Sequence, residues 1–396
     1  MKKPNIALVC DAINSVGGVY VETMRLSELL SKNGYKVIII SSKYPKDTDF
    51  ETNHNGIKTY KFDAFPLVPI SRKTLFLAYP NNKKLEKIFR KEDINVVHIM
   101  HPPTPLSWSA ISSAKKMGVK IIIYSTFQPE SWMVYLPKFF SRRWLSRKLV
   151  DILYFFVMRL YNRADVILCL TKFGRDVLEA RGLKKKMYVI SCGVDTSVFR
   201  KFDASGCCKD FGLSEKTIKL LYVGRLDHEK NVSLLVKAAK IMHKNFENFE
   251  ICIVGDGLEK VPLEEMAKQS KLMDKIKFLG KVSDSDLIKM YNICDIFVLP
   301  SFIELEGIVV LEAMACGKPI LIADSPDSAA RFFVDGNGFL FNPENAKDLA
   351  DKALILLKDD KLRRKMAAQS YKRRKEIDIR NHIKKLEKVY SDLNLN

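Results

Sequence analysis

Two glutamates eight residues apart, Glu304 and Glu312, punctuate the otherwise apolar segment from Ser301 to Pro319. Glu304 follows the run Ile296 to Leu299, which reads as a strand, and so falls in a loop, whereas Glu312 falls inside an apolar helix. A carboxylate set among Val309, Val310, Leu311 and Ala313 is costly to bury without hydrogen-bond donors. Ribose hydroxyls would supply such donors. The alternative is that Glu312 is the polar stripe of an ordinary helix.

Cations stand upstream of this pair. In Tyr222-Val223-Gly224-Arg225-Leu226-Asp227-His228-Glu229-Lys230-Asn231, Arg225 and Lys230 come just past a strand and just before a helix. In an open α/β sheet ligands bind at that end of the strands, and two cations there suit a diphosphate, although a solvated basic loop has the same composition. Gly255-Asp256-Gly257 follows the next strand and is either a turn or a floor for a nucleotide base. Near the N-terminus, Gly17-Gly18 lies between a first strand ending at Cys10 and a helix. Adjacent glycines let a backbone approach a ligand, and a helix N-terminus favours an anion. The spacing is not GxGxxG, so a dinucleotide fingerprint is absent.

The elements that must position these residues alternate along all 396 residues, short apolar runs with longer amphipathic stretches, which is the pattern of βα units and parallel sheets. Ile6 to Cys10, Val37 to Ser41, Val96 to Met100, Ile121 to Tyr124 and Val166 to Leu170 read as buried strands, with a helix over Tyr20 to Asn33. A second series runs through Leu220 to Val223, Glu250 to Val254, Ile276 to Leu279, Ile296 to Leu299 and Pro319 to Ile322. The length exceeds one ordinary core, so two domains are expected, 1–196 and 197–376, with an amphipathic helix over 377–396 packing back on the first.

Composition narrows the function classes. A content of 47% hydrophobic and 28% charged residues is that of a globular chain. No uncharged apolar run of eighteen residues occurs, and the N-terminus leads into a strand instead of a signal segment, so the expected location is the cytoplasm. The eight cysteines lie mostly in apolar runs with no CxxC pair, as reduced core residues do; no metal site is expected. Lys plus Arg number 66 against 46 Asp plus Glu, a formal charge of +20, which attracts a polyanion: nucleotide phosphate, anionic lipid or nucleic acid. No nucleic-acid module is present, and the basic residues are scattered through an enzyme-like pattern, so no nucleic-acid partner is expected.

Taken together, these residues resemble the family-4 retaining glycosyltransferases of the GT-B fold, two Rossmann-like domains facing each other across a cleft. The resemblance rests on Glu304-x7-Glu312 followed by Ala-Met-Ala-x-Gly-x-Pro, and on Val223-Gly224-Arg225-Leu226 with Glu229-Lys230-Asn231. Gly17-Gly18, Gly193-Val194-Asp195-Thr196, Val254-Gly255-Asp256-Gly257 and Asp335-Gly336-x-Gly338 extend it in the correct order over nearly the whole chain. It implies that Arg225 and Lys230 hold the diphosphate of a nucleotide-sugar donor, UDP-linked by expectation, and stabilise the leaving nucleotide. Glu304 would contact the transferred sugar and Glu312 the ribose. Gly17, Gly18, Gly255, Asp256, Gly257, Gly307, Ile308 and Val309 complete the implied donor-binding set. Retention in the family is assigned to front-face attack with the leaving phosphate taking the acceptor proton. No cofactor or metal is implied. A sugar-nucleotide epimerase of the same architecture is the enzymatic alternative.

Two departures bear on chemistry. Many relatives carry a histidine beside the reacting sugar after the strand Ile121 to Tyr124, where this chain has Ser125-Thr126-Phe127-Gln128-Pro129-Glu130. His98 and His101 are the substitutes nearest in the pattern, against the ordinary reading of a strand-end histidine as structural. Leu305-Glu306-Gly307 replaces the common Phe-Gly and leans toward the lipid-modifying members. Between residues 130 and 148, Trp132, Tyr135, Phe139, Phe140 and Trp144 mix with Lys138, Arg142, Arg143, Arg147 and Lys148. Aromatic residues beside basic ones are what an interfacial anchor on anionic lipid uses. A lipid acceptor such as diacylglycerol or phosphatidylinositol, and a peripheral position on the inner face of the membrane, are therefore expected; a soluble saccharide or small molecule is the alternative acceptor. The continuation Leu145, Leu149, Ile152, Phe156 and Leu160 reads as a core stripe.

Overall fold

The structure is a computed structural model and describes residues 3–11, 18–43, 49–54, 56–71, 73–130 and 143–393. Its chain forms two compact units, one of 1–192 with 382–396 and one of 193–381. The sequence boundaries stood at 196/197 and 376/377.

In the first unit, an eight-stranded sheet is built from β1 (Ile6–Val9), β2 (Val37–Ser42), β3 (Glu51–His54), β4 (Ile57–Phe62), β7 (Val96–Ile99), β8 (Lys120–Ser125), β9 (Val166–Cys169) and β10 (Lys186–Val189). The strand order is β10-β9-β8-β7-β1-β2-β4-β3, parallel except where β3 pairs antiparallel with β4. A hairpin of β5 (Ala64–Ser71) and β6 (Lys73–Ala78) precedes β7. Helices α1 (Gly18–Lys32), α2 (Asn82–Lys91), α3 (Pro105–Lys116), α4 (Arg143–Tyr161) and α5 (Lys172–Ala180) connect the strands. The central strands are buried throughout, as continuous apolar runs must be when helices cover both faces of a parallel sheet.

In the second unit, β11 (Ile218–Val223), β12 (Phe249–Val254), β13 (Ile276–Gly280), β14 (Ile296–Leu299), β15 (Ile320–Ala323) and β16 (Gly338–Phe341) form a parallel sheet in the order β13-β12-β11-β14-β15-β16. Its helices are α6 (Val232–Asn245), α7 (Lys260–Gln269), α8 (Asp284–Ile293), α9 (Ile308–Ala315), α10 (Ala346–Lys358) and α11 (Asp360–Lys372). Helix α12 (Ile379–Ser391) begins in this unit and ends in the first, where Tyr390 seats its hydroxyl 3.1 Å from His98 Nδ1.

The strands read from sequence are present to within two residues at either end. The sequence reading omitted β3, β4, β5, β6, β10 and β16, whose residues are polar, proline-bearing or flanked by glycine. The core-stripe expectation for the second half of α4 needs correction. Val150, Tyr154, Val157, Leu160 and Tyr161 face the core, whereas Ile152 and Phe156, and Phe155 beside them, are more than half exposed. Helical periodicity admits either face, and tertiary packing selected the one that buries two tyrosines. None of the eight cysteines is in a disulfide, and all are buried but Cys207. No helix of the described residues is long and apolar enough to cross a membrane.

Buried titratable groups give the first unit a distinctive acid response. His98 lies wholly inside the sheet, and burial, with nearby His382, pushes its pKa down to about 3. His382 of α12, also pushed down by burial, titrates at about 4 and donates from Nδ1 to the Ser191 carbonyl. An unfolded histidine titrates near 6.5. Between that value and pH 4 the unfolded chain therefore binds more protons than the folded one, so stability falls on acidification. Asp11 acts in the opposite sense: burial raises its carboxyl from 3.8 to about 7, so the fold gains relative stability as that group is protonated. Replacing Asp11 with Asn should therefore steepen the fall in melting temperature between pH 7 and pH 4, as followed by calorimetry; an unaltered slope would mean Asp11 is ionised across that window.

Candidate active site in the second unit

The site is set by where the second sheet reverses its strand order. From β11 the chain moves outward to β12 and β13, then returns to lay β14 on the other side of β11. The connections on either side of β11 diverge there and leave a crevice beyond the carboxyl ends of the strands. The loop after β11 delivers Arg225 and Lys230, and the loop after β14 delivers Glu304.

Backbone bonds lace these loops together. Phe302 N–H donates to Glu229 O at 2.9 Å, and Asn231 Nδ2 donates to Pro300 O at 3.2 Å and Pro343 O at 2.8 Å. Tyr222, fully buried, donates its hydroxyl to Arg225 O at 2.7 Å. On the other side, the strand ladder continues past its ends: Gly224 N–H donates to Val254 O, Leu226 N–H to Asp256 O, and Gly255 N–H to Gly280 O, at 2.7 to 3.0 Å. That close stitching explains the glycines. A Cβ on Gly255 would lie 1.8 Å from Gly224 O, and one on Gly257 would lie 2.3 Å from Leu226 O.

Neither cation of the sequence motif is bare. The Arg225 guanidinium is bonded to Asp227 and Glu229, whose carboxylates are almost wholly buried, while 45% of the Arg225 side chain is exposed. Two buried carboxylates clamp one edge of the guanidinium fork and leave its exposed part aimed in a fixed direction. Lys230 Nζ donates to Glu304 Oε1 at 2.7 Å, and both side chains are largely sheltered. The loop carrying Glu304 is pinned by Ala329 N–H to Glu304 O at 2.8 Å. Asp227 and Glu229 were given no role at the sequence level. Their spacing, two and four residues after Arg225, was the available signal.

Glu312 is reached from a neighbouring helix. Its Oε2 accepts from the Tyr291 hydroxyl at 2.7 Å, and Tyr291 is fully buried in α8. Burial and then the Glu312 charge raise the Tyr291 pKa well above its usual value, so the phenol stays a donor. This answers the desolvation problem posed by Glu312's apolar neighbours, at one of its two oxygens. Gly307, Ile308 and Val309 open α9; Gly307 has φ +88° and provides no side-chain cap, so the first N–H groups of the helix point outward with positive potential. Among the described residues no cluster of three or more His, Cys, Asp and Glu has the geometry to hold a metal.

The second unit thus gathers Arg225, Lys230, Gly255, Asp256, Gly257, Glu304, Gly307, Ile308, Val309 and Glu312 around one sheet end. The remaining candidates belong to the first unit. Gly17 lies outside the described residues, and Gly18 begins α1. His98 is excluded from any ligand contact by full burial within β7 against Tyr124 and Tyr390, which corrects its candidacy. His101 stands past the end of β7 with Nδ1 enclosed.

Two family descriptions match this chain, Glycosyltransferase Family 4 over residues 16–198 and Glycosyl transferases group 1 over residues 208–373. The chain belongs to glycosyltransferase family 4. It is 25% identical over 377 residues to the N-acetyl-alpha-D-glucosaminyl L-malate synthase of Bacillus anthracis, covering 93% of this chain and 91% of that protein. It is 23% identical to the alpha-monoglucosyldiacylglycerol synthase of Streptococcus pneumoniae, covering 78% of this chain and 69% of the relative. Among solved structures, Anabaena Alr3699/HepE in complex with UDP-glucose superposes with a TM-score of 0.75 over 98% of this chain and all of that one, at 17% identity. The fold is that of the GT-B glycosyltransferases, mixed α/β with two Rossmann-like halves.

The glycine packing predicts a local failure. Gly255→Ala should lower the melting temperature by at least about 2 °C, since an overpacking cost of ~1–3 kcal/mol corresponds to about 2–4 °C per kcal/mol for a unit of this size. Calorimetry showing no change would mean that the loops after β11 and β12 separate freely.

Proposed function

We propose that this glycosyltransferase is retaining and metal-independent, and that it moves a hexose from a UDP-linked donor to a membrane lipid at an anionic surface. The observation carrying the donor reading is the Arg225 clamp beside the Lys230–Glu304 pair. An oriented guanidinium and an ammonium meet a diphosphate, and charge that develops on the leaving nucleotide strengthens both contacts without a metal ion. Glu304, released from Lys230, accepts hydroxyls of the transferred sugar. Glu312, oriented by Tyr291, accepts from ribose, and the opening turn of α9 faces phosphate. The leaving phosphate takes the proton of the incoming hydroxyl on the same face, so neither glutamate forms a covalent intermediate. The UDP-glucose complex of the structural relative supports a nucleotide-sugar donor.

The lipid reading rests on α4. Lys148, Ile152, Phe155, Phe156 and Arg159 fall on one exposed stripe, apolar at its middle and basic at both ends. Phe155 and Phe156 pack edge to face at 5.7 Å with their outer surfaces in solvent. Such a stripe inserts at an anionic bilayer, each basic residue adding about 1 kcal/mol near the surface. The aromatic and basic segment upstream points the same way, but residues 131–142 and the side chains of Arg143, Trp144 and Arg147 lie outside the described residues. One relative is named as a diacylglycerol-glycolipid synthase. Another is named for L-malate, which keeps a soluble acceptor as the second reading.

Nucleotide release from a panel of UDP- and GDP-sugars, in EDTA and with or without anionic vesicles containing diacylglycerol or phosphatidylinositol, tests both parts. One UDP-sugar should be consumed in a vesicle-dependent way, and Glu312→Gln should weaken its binding about tenfold, the scale of one charge-assisted hydrogen bond. Release abolished by EDTA would overturn metal independence, and release indifferent to vesicles would favour the soluble acceptor. Changing Ile152, Phe155 and Phe156 together to Ser should release the protein from sedimenting phosphatidylglycerol vesicles; undiminished sedimentation would remove α4 from the membrane surface.

A further inference from the structure

The second sheet also opens at the end that Arg225, Lys230 and Glu304 do not use. Thr217 stands just before β11 and Asp295 just before β14, and both line a cavity of about 580 Å³ whose wall they share with Lys201, Asp203, Glu215 and Lys219. A strand rises about 3.3 Å per residue, so the length of β11 puts roughly 20 Å between this cavity and the loop that carries Arg225.

Lys219 is only 2% exposed, in a central strand of the sheet. Asp295 holds its backbone from both sides: Lys219 N–H donates to Asp295 Oδ2 at 2.8 Å, and Asp295 N–H donates to Lys219 O at 2.9 Å. The side chain turns back toward the amino end of the strand, where Nζ donates to Thr217 O at 2.8 Å. Among the described residues no carboxylate forms an ion pair with that ammonium. Burial pushes the Cys208 thiol up to about 11 and the Lys219 charge draws it back, which sets the ammonium beside a second residue of the cavity wall. An ammonium has three N–H donors, and a buried charge without a counter-ion is expensive. The fold takes one donor and leaves the others to an occupant of the cavity.

The remaining lining narrows that occupant. Lys201 adds an exposed cation, and Lys318 a third behind Asn292, to whose carbonyl its Nζ donates at 3.0 Å. Asp203 Oδ1 is taken by Ser205 N–H at 3.0 Å and Asp295 Oδ2 by Lys219 N–H, so each carboxylate keeps its second oxygen for another donor. A bare anion would be repelled by these carboxylates, and an amine or metal ion by Lys219. An anion that also carries hydroxyls satisfies both sets, and the part-exposed ring of Phe202 offers the C–H face of a sugar an apolar surface. We infer that the amino end of the second sheet is a separate binding site for a sugar phosphate, with its phosphate on Lys219 and Lys201 and its hydroxyls on Asp203 and Asp295. This site goes beyond the donor reading and does not depend on it.

Glucose 6-phosphate is the probe, titrated by calorimetry into the full chain. The wild-type protein should bind it with a Kd below about 1 mM. Lys219→Met, which keeps the length of the side chain, should weaken binding at least tenfold, the scale of one charge-assisted hydrogen bond. Lys201→Ala, an exposed change that spares the fold, should weaken it severalfold, and Arg225→Ala should leave it unchanged. Absence of binding to the wild-type protein overturns the inference. So does binding that survives Lys219→Met and disappears in Arg225→Ala, which would put the probe at the donor loops. Inorganic phosphate or glucose binding as tightly as glucose 6-phosphate would also overturn it, since the site is argued to need both groups. Should Lys219→Met fail to fold, Lys201→Ala decides, and an affinity unchanged in that variant overturns the inference.

Discussion

A parallel strand can be followed by its neighbour only through a crossover over one face of the sheet, and crossovers keep one hand. Everything functional in this chain depends on that constraint. When the chain reverses direction of growth, between β1 and β7 and again between β11 and β14, the crossovers part and the backbone ends of two strands are left uncovered. Arg225, Lys230 and Glu304 cluster without being near in sequence because they sit on the two loops flanking the second reversal.

The second level of organisation is electrostatic. A guanidinium held by two buried carboxylates has little rotational freedom left to lose, so an anion meeting its exposed edge does not have to order it. The arrangement has a cost, because Asp227 and Glu229 cancel much of the charge that a diphosphate site would display. What the site gains is orientation. Tyr291 does the corresponding service for Glu312, giving a half-buried carboxylate among apolar neighbours a hydrogen bond that is already made.

Much of this was legible in the residues. Short continuous apolar runs such as Ile296–Leu299 and Ile251–Val254 read as strands covered on both faces, and the motif residues followed them at the ends where ligands bind. The unread parts share a physical cause. Strand β3 carries glutamate, threonine, asparagine and histidine because it is the sheet's edge strand, and β4 beside it mixes lysine and threonine with its apolar residues. Ile152 and Phe156 matched helical spacing as well as any core residue, and only the competing demand of Tyr154 and Tyr161 for burial turned them outward. His98 looked like a strand-end residue, but the strand continued its pairing around it and α12 closed over it from far along the chain. Long-range packing of that kind leaves no local trace.

The Lys230–Glu304 ion pair has a consequence for discrimination among the small anions of a cell. With its ammonium already engaged, the resting site offers a poor welcome to inorganic phosphate or to a bare nucleotide, because parting the pair to admit either one strands Glu304 in a sheltered position. On the proposed donor reading, a complete nucleotide-sugar would compensate both halves at once, its diphosphate taking Lys230 and its hydroxyls taking Glu304. On that reading the pair would act as a two-key latch, opened at low cost only by a molecule that carries both chemical features in one covalent frame.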